Sequence, residues 1–141
     1  MAARITWTLF RLNDMDAFES IISTLLAREG FWVRTSYKVE LTKPDKREIG
    51  RPSSPRWEID VLAYRPQDNV LQIVECKSYL DSRGVTFKGL DPDTGGSSRY
   101  KLFNEPNTRK VVFRRLVQQL SAAKSIRPDP DIKLCLSLIH I

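Results

Sequence analysis

Residues 57–64, WEIDVLAY, and residues 70–77, VLQIVECK, are the segments that most clearly predict the fold of this chain. Both are rich in β-branched and aromatic residues, which favour strands. The residues between them, RPQDN at 65–69, contain Pro, Asp and Asn, which favour turns. The simplest interpretation is an antiparallel hairpin.

Charged residues occupy strand positions where core side chains are usual: Asp60 in the first strand, Glu75 and Lys77 in the second. Side chains alternate between the faces of a strand, so Asp60 shares a face with Glu58, and Glu75 shares one with Lys77. A register that brings Asp60 and Glu75 to the same end places two carboxylates and an amine together. The sequence leaves that register open.

Such a cluster is costly in a half-buried strand, because charged groups lose hydration and the carboxylates repel each other. Lys77 offsets one negative charge, and a divalent cation would offset two more. Carboxylate oxygens suit Mg²⁺ or Mn²⁺, so the pattern indicates metal-dependent cleavage of a phosphodiester. The alternative is an ordinary surface salt-bridge cluster, since Glu-x-Lys alone is a common sequence.

An amphipathic helix is predicted upstream, over residues 13–30, with Asn13 or Asp14 as its cap and Gly30 as its end. Its apolar stripe consists of Phe18, Ile21, Ile22, Leu25 and Leu26. Glu19 adjoins this stripe near the start of the helix. Residue chemistry alone explains Glu19 as an acid at the positive end of the helix dipole.

The rest of the chain predicts two strands, a helix and two long loops. The strands are expected at residues 31–40 and 132–138, the second of them buried. The helix is expected at residues 108–125, with Val112, Leu116 and Leu120 as its stripe and with Pro128 and Pro130 ending it. A loop or an irregular hairpin arm is expected at residues 42–56. A second loop is expected at residues 80–107, where it would lie at the rim of the catalytic cleft because it follows Lys77.

The first of these loops is basic and interrupted by prolines. Its cations are Lys43, Lys46, Arg47, Arg51 and Arg56. A stretch of this kind either runs along a phosphate backbone or is merely solvated, and the two interpretations are about equally good.

Length and charge favour one domain over residues 1–141 with an anionic partner, because the chain has 141 residues and a net charge of +6. Cys76 and Cys135 lie in apolar runs and are interpreted as buried thiols, which favours an intracellular, cytoplasmic protein. No signal peptide or membrane span is visible in the sequence, so a membrane partner is not expected. The apolar ending at residues 137–141 favours a longer natural protein.

Several classes of enzyme are excluded by what the sequence lacks. His140 is the only histidine, which excludes HNH nucleases, HD phosphohydrolases and Cys/His zinc modules. No Gly-rich phosphate loop precedes a Lys-Ser or Lys-Thr pair, and no Ser or Cys nucleophile has a credible histidine partner. The carboxylates therefore remain as the candidates for chemistry.

The order of predicted elements resembles that of the PD-(D/E)xK nuclease superfamily. A helix with a Glu is followed by a strand, then by a strand with Asp, and then by a strand with Glu-x-Lys. The segments Glu-Ile-Asp-Val-Leu-Ala and Ile-Val-Glu-Cys-Lys-Ser are similar to resolvase-like and Mrr-like members, although Ile59 stands where the motif has Pro. The resemblance covers about residues 14–139. It implies a restriction-endonuclease-like α/β fold, a three-layer α/β/α core with a mixed central sheet.

The resemblance also implies a Mg²⁺- or Mn²⁺-dependent endodeoxyribonuclease that hydrolyses the phosphodiester bonds of DNA. Asp60, Glu75 and the backbone carbonyl of Cys76 would hold the metal. Lys77 would orient the attacking water, and Glu19 would hold a second metal or its hydration shell. Auxiliary candidates are Glu58, Gln118 and Gln119.

Two alternatives stay open. One is a Holliday-junction-resolvase-like or repair nuclease, and the other is a catalytically inactive nuclease-like module that binds DNA. Clustered carboxylates, which repel phosphate, argue against the inactive module. The choice between DNA and RNA and the formation of a homodimer are also left open.

Overall fold

The computed structural model describes residues 17–54, 56–78 and 101–139. Within these ranges the elements are α1 (Ala17–Arg28), β1 (Trp32–Val39), α2 (Lys43–Glu48), β2 (Trp57–Arg65), β3 (Val70–Ser78), α3 (Lys101–Asn104), α4 (Pro106–Ala122) and β4 (Asp131–Ile139). The fold is mixed α/β, as predicted.

The four strands form one mixed sheet in the order β1-β2-β3-β4. β2 and β3 are antiparallel, with Val61 opposite Val74 and Arg65 opposite Val70, so the predicted hairpin is confirmed. β3 and β4 are parallel over their whole length. The connection between parallel strands requires a crossover, which here contains the longest described helix, α4.

The two central strands are buried on both faces. In β2 the alternating positions Ile59, Val61 and Ala63 are buried, and so are Leu62 and Tyr64 between them. This explains why the two segments are almost continuously apolar instead of alternating with polar residues. A charged residue in such a strand is therefore exceptional.

The turn of the hairpin is held by its own polar side chains. The Arg65 guanidinium donates two hydrogen bonds to the Asp68 carboxylate, at 2.8 and 2.7 Å. The Tyr64 hydroxyl donates to Asn69 Oδ1 at 2.8 Å, and Asn69 has a left-handed φ of 55°. The Asn69 carbonyl then accepts the N–H of Asp131 at 2.9 Å, which aligns the start of β4 beside β3.

Helix α1 contacts β3, but its apolar stripe is only partly buried. Phe18 is buried and Ile22 and Leu26 are half-buried, whereas Ile21 and Leu25 are 53% and 50% exposed. The predicted amphipathic helix is therefore confirmed over its described part, although two of its five stripe residues are exposed. The predicted residues 13–16 of this helix lie outside the described residues.

The prediction of a loop or irregular hairpin arm at residues 42–56 is wrong at its start, because the helix α2 forms at Lys43–Glu48. Thr42 Oγ1 accepts the N–H of Asp45 at 3.3 Å, and the Asp45 carboxylate accepts the N–H of Thr42 at 3.0 Å. This reciprocal pair is a capping box. Pro44 does not prevent the helix, since a residue in the first turn has no helical partner for its N–H.

Helix α4 confirms the second predicted helix, and its stripe residues Val112, Leu116 and Leu120 are buried. It ends at Ala122, well before Pro128, so the two prolines are not what ends it. The end is made by Lys124, whose φ is 54°, and by the bond from the Ser125 N–H to the Leu120 carbonyl at 2.9 Å.

The predicted loop at residues 80–107 is wrong at its end, where α3 and the start of α4 lie. The rest of that prediction falls on residues outside those described. β4 confirms the last strand, but its described side chains are exposed or half-buried, as expected for the edge of a sheet. Cys76 and Cys135 are half-buried, so the prediction that both thiols are buried is wrong.

The chain divides into two compact units. The sheet unit comprises Met1–Tyr37, Ile59–Leu80 and Pro130–Ile141, and the helical unit comprises Lys38–Glu58 and Asp81–Asp129. In the sheet unit, Phe31, Ala63 and Val70 form a buried cluster against which Leu26 and Val33 pack. In the helical unit, buried apolar side chains include those of Val39, Leu41, Leu102, Val111, Val112, Leu116 and Leu120. None of the described helices is long and apolar enough to cross a membrane.

Candidate active site

The candidate site lies at the end of the hairpin away from its turn. Leu62 is opposite Ile73 in the register, and Val61 is opposite Val74. The paired segment ends at Val61 and Val74, and Asp60 and Glu75 follow directly beyond it. Because side chains alternate along a strand, Asp60 has the face of Leu62 and Glu75 has the face of Ile73, and these two opposed residues share a face. The two half-buried carboxylates thus lie on one face at one end.

The side chain of Asp60 is oriented by the backbone of the neighbouring strand. Asp60 Oδ2 accepts the N–H of Cys76 at 2.8 Å. A charged acceptor strengthens this hydrogen bond, which holds the carboxylate beside the residue that follows Glu75. Because a carboxylate accepts about four hydrogen bonds or ligands, Asp60 retains capacity for a cation.

The other residues of the predicted motif belong to the same sheet unit. Lys77 is in β3, two positions after Glu75 and opposite Leu138 of β4. Glu19 is half-buried in the first described turn of α1, the helix that contacts β3. Its backbone carbonyl accepts the Ser23 hydroxyl at 2.7 Å.

The auxiliary candidates belong to the helical unit. Glu58 is exposed in β2, and Gln118 is exposed on α4. Gln119 Nε2 donates to the Lys38 carbonyl at 3.0 Å, and Gln119 Oε1 accepts the N–H of Glu40 at 3.0 Å. The amide of Gln119 therefore pairs with the chain as a neighbouring strand would, a role that the sequence did not indicate.

A metal site requires several ligand side chains at one place. Among the described residues, no group of three or more His, Cys, Asp or Glu side chains is placed to hold one. The predicted ligands Asp60 and Glu75 are two carboxylates on one face of the hairpin. Such a pair fits Mg²⁺, which usually keeps several waters and binds one or two protein carboxylates together with substrate phosphates.

A buried acid that the sequence analysis did not single out organises the helical unit. Asp45 is 3% exposed, and its carboxylate accepts Arg115 Nε at 2.7 Å and Arg114 Nη2 at 3.2 Å. The hydrogen bond from Arg115 is the largest cause that holds the pKa of Asp45 well below its usual range. The pattern T-x-x-D at residues 42–45 was the available signal for this site.

A second ion pair involves one of the five basic residues of the predicted loop. Arg51 donates to both carboxylate oxygens of Glu105, at 2.9 and 2.8 Å. The pKa of Glu105 is lowered, chiefly by this hydrogen bond from Arg51. Arg51 is therefore occupied within the protein.

Comparisons of this chain with models of known protein families, with curated proteins and with solved structures find no match.

Proposed function

We propose that this protein is a Mg²⁺-dependent endodeoxyribonuclease of the PD-(D/E)xK type, with a restriction-endonuclease-like fold. The observation that carries the proposal is the hydrogen bond from the Cys76 N–H to Asp60 Oδ2 at the end of the β2–β3 hairpin. Strand alternation from the paired residues puts Asp60 and Glu75 on one face at that end, which supports the proposal. A carboxylate on a largely apolar strand is costly unless it is paired, hydrogen-bonded or bound to a metal, and one divalent cation would offset the charges of both Asp60 and Glu75.

The chain's own groups have distinct parts in the proposed mechanism. Asp60 and Glu75 would hold Mg²⁺, and the N–H of Cys76 keeps the Asp60 carboxylate oriented when no substrate is present. When bound, the metal supplies Lewis acidity that lowers the pKa of a water and polarises the phosphate. The Lys77 ammonium would donate to the attacking water and stabilise the negative charge that develops on the phosphate.

The same chemistry favours phosphodiester cleavage over simple binding of DNA. Carboxylates repel a phosphate backbone unless a cation lies between the two. A binding module gains nothing from two acids on one face of a sheet. The net charge of +6 is in keeping with a nucleic-acid substrate, because a positively charged protein attracts a polyanion by long-range electrostatics.

The test is cleavage of supercoiled plasmid, linear duplex, single-stranded and four-way-junction DNA, each with Mg²⁺, Mn²⁺ or chelator. We expect the wild type to cut DNA only with a divalent metal. The rate of cutting should fall by about 10²-fold or more in Asp60→Asn and in Glu75→Gln, because removal of one group that stabilises transition-state charge has an effect of that size. Asp131→Asn is the matched control, because it removes one exposed acid from the same sheet. Preference among the four substrates separates a junction-resolving enzyme from a general endonuclease.

Undiminished cutting by Asp60→Asn would place the chemistry elsewhere. No cutting of any substrate, with DNA bound equally by the wild type and by Asp60→Asn, would instead support a non-catalytic binding module.

A further inference from the structure

Helix α2 separates its charges onto two opposite faces. Successive residues of a helix are rotated by about 100°, so Lys43, Lys46 and Arg47 fall within an arc of roughly 100°. Asp45 and Glu48 lie within about 60° on the opposite side of the helix. A six-residue helix thus has one wholly cationic face and one wholly acidic face.

Contacts with α4 fix which face is turned outward. The Asp45 carboxylate accepts from both Arg114 and Arg115, and Glu48 Oε2 accepts from Arg114 at 2.8 Å. Asp45 also closes the capping box of α2, so the same residue starts the helix and sets its rotation. The acidic face is therefore committed to α4, and the cationic face is directed away from it.

The three cations of α2 are available to a ligand. Lys43 and Arg47 are exposed, Lys46 is half-buried, and none of the three has an ion pair with any described residue. Three other cations of the unit are paired internally: Arg51 with Glu105, and Arg114 and Arg115 with Asp45. Like charges at spacings of three and four residues repel each other, so the cationic face is unfavourable without an anion.

We propose that the cationic face of α2, formed by Lys43, Lys46 and Arg47, binds the phosphate backbone of duplex DNA. The proposal rests on the proposed function for the choice of DNA as the anion, and on the charge separation of α2 for the surface. Cations spaced along one helix face contact a polyanion regardless of its sequence, so this surface contributes affinity and not sequence specificity.

The test is fluorescence anisotropy of a labelled duplex, titrated in chelator with the Asp60→Asn protein so that cleavage does not occur. In that protein, the triple variant Lys43→Gln, Lys46→Gln and Arg47→Gln should bind at least tenfold more weakly. The slope of log affinity against log salt should fall by roughly 2.7, which corresponds to three phosphate contacts. Gln has a helix propensity close to that of Lys and Arg, and an unchanged melting curve checks the fold.

The matched control is Arg34→Gln, Lys38→Gln and Lys133→Gln, which removes the same charge from strands β1 and β4. Equal losses in the control and in the α2 variant would overturn the proposal, since net charge alone would then explain binding. Tighter binding of RNA or of anionic vesicles through the same three residues would overturn the choice of DNA. If the α2 variant keeps full affinity while Asp60→Asn abolishes cutting, the proposed function stands and this inference fails.

Discussion

Gly30 and Lys124 end two helices with the same backbone conformation. Gly30 has a φ of 88° and Lys124 a φ of 54°, and each follows the last residue of the helix cap. Around Gly30 the N–H of Phe31 donates to the Leu26 carbonyl at 3.1 Å, and around Lys124 the corresponding bond runs from Ser125 to Leu120. Both ends are Schellman motifs, in which glycine is the unstrained residue.

Substitutions at these two positions should therefore change stability in opposite directions. Gly30→Ala should lower the free energy of unfolding by about 1 kcal/mol, because a Cβ disfavours a left-handed φ. The nearest atom to that Cβ, Arg65 Cδ, is 3.8 Å away, so the cost is backbone strain and not collision. Lys124→Gly should raise the free energy of unfolding by up to about 1 kcal/mol.

Urea unfolding followed by circular dichroism measures both effects. Ala122→Gly, within the last turn of α4, is the control for Lys124→Gly, because glycine at a right-handed helical position should destabilise. A stabilising Gly30→Ala or a destabilising Lys124→Gly would contradict the assignment of these helix ends.

Helix α2 is stabilised by one buried acid, Asp45, whose carboxylate binds three groups. Asp45 accepts the N–H of Thr42, and its carboxylate is bound by Arg114 and Arg115 of α4. An isolated helix of six residues is unstable in water, since nucleation costs more than so few hydrogen bonds return. The contacts with α4 therefore supply what the local sequence of α2 lacks.

The depressed pKa of Asp45 predicts a specific acid sensitivity. Because its pKa is lower in the folded than in the unfolded protein, the stability from ionised Asp45 is present above the unfolded value of about 3.9 and is lost as the pH falls below it. Asp45→Asn should lower the free energy of unfolding at pH 7 by about 2–4 kcal/mol, since two arginines lose their buried partner. Below pH ~4 the difference in the free energy of unfolding between Asp45→Asn and the wild type should become smaller.

Urea midpoints measured from pH 7 down to pH 3 test this prediction. Glu48→Gln is the control. It neutralises a more exposed acid of the same helix, and that acid pairs with Arg114, which also binds Asp45. If the difference in urea midpoint between Asp45→Asn and the wild type does not change with pH, folding does not lower the pKa of Asp45 and the prediction is wrong.

On the scale of the whole molecule, the proposed metal site at Asp60 and Glu75 predicts that metal binding and stability are linked. Any ion that binds the folded and not the unfolded chain stabilises it by mass action. Asp60 and Glu75 come together only through the β2–β3 register, so the unfolded chain has no equivalent site.

We therefore expect Mg²⁺ to raise the melting temperature. At tenfold above its dissociation constant, Mg²⁺ should contribute about 1.4 kcal/mol, or roughly 3–5 °C for a chain of this size. Asp60→Asn should abolish the shift, whereas Asp131→Asn should retain it. Differential scanning fluorimetry against a Mg²⁺ series, with Na⁺ at matched ionic strength, makes the measurement, and an equal shift in Asp60→Asn would exclude the Asp60–Glu75 pair as the metal site.

The sequence was most informative where the pattern is local and strong. The β-branched runs and the Pro-Gln-Asp-Asn turn predicted the hairpin, and helical spacing predicted α4 with its buried Val112, Leu116 and Leu120. It failed for α2, because the capping box is short and the charges that stabilise the helix are more than sixty residues away on α4. The sequence did not predict the end of α4, because Lys124 is not a residue type that usually adopts a left-handed conformation.

The sequence by itself determined which residues can do chemistry: an Asp and a Glu-x-Lys in adjacent strands, with other catalytic classes excluded by composition. Only the tertiary structure decided that Asp60 and Glu75 share one end of the hairpin, that Gln119 pairs with the backbone at Lys38 and Glu40, and which cations are neutralised. The physical reason is one of range. Strand and helix preferences act between near neighbours, whereas register and ion pairing depend on groups that only folding brings together.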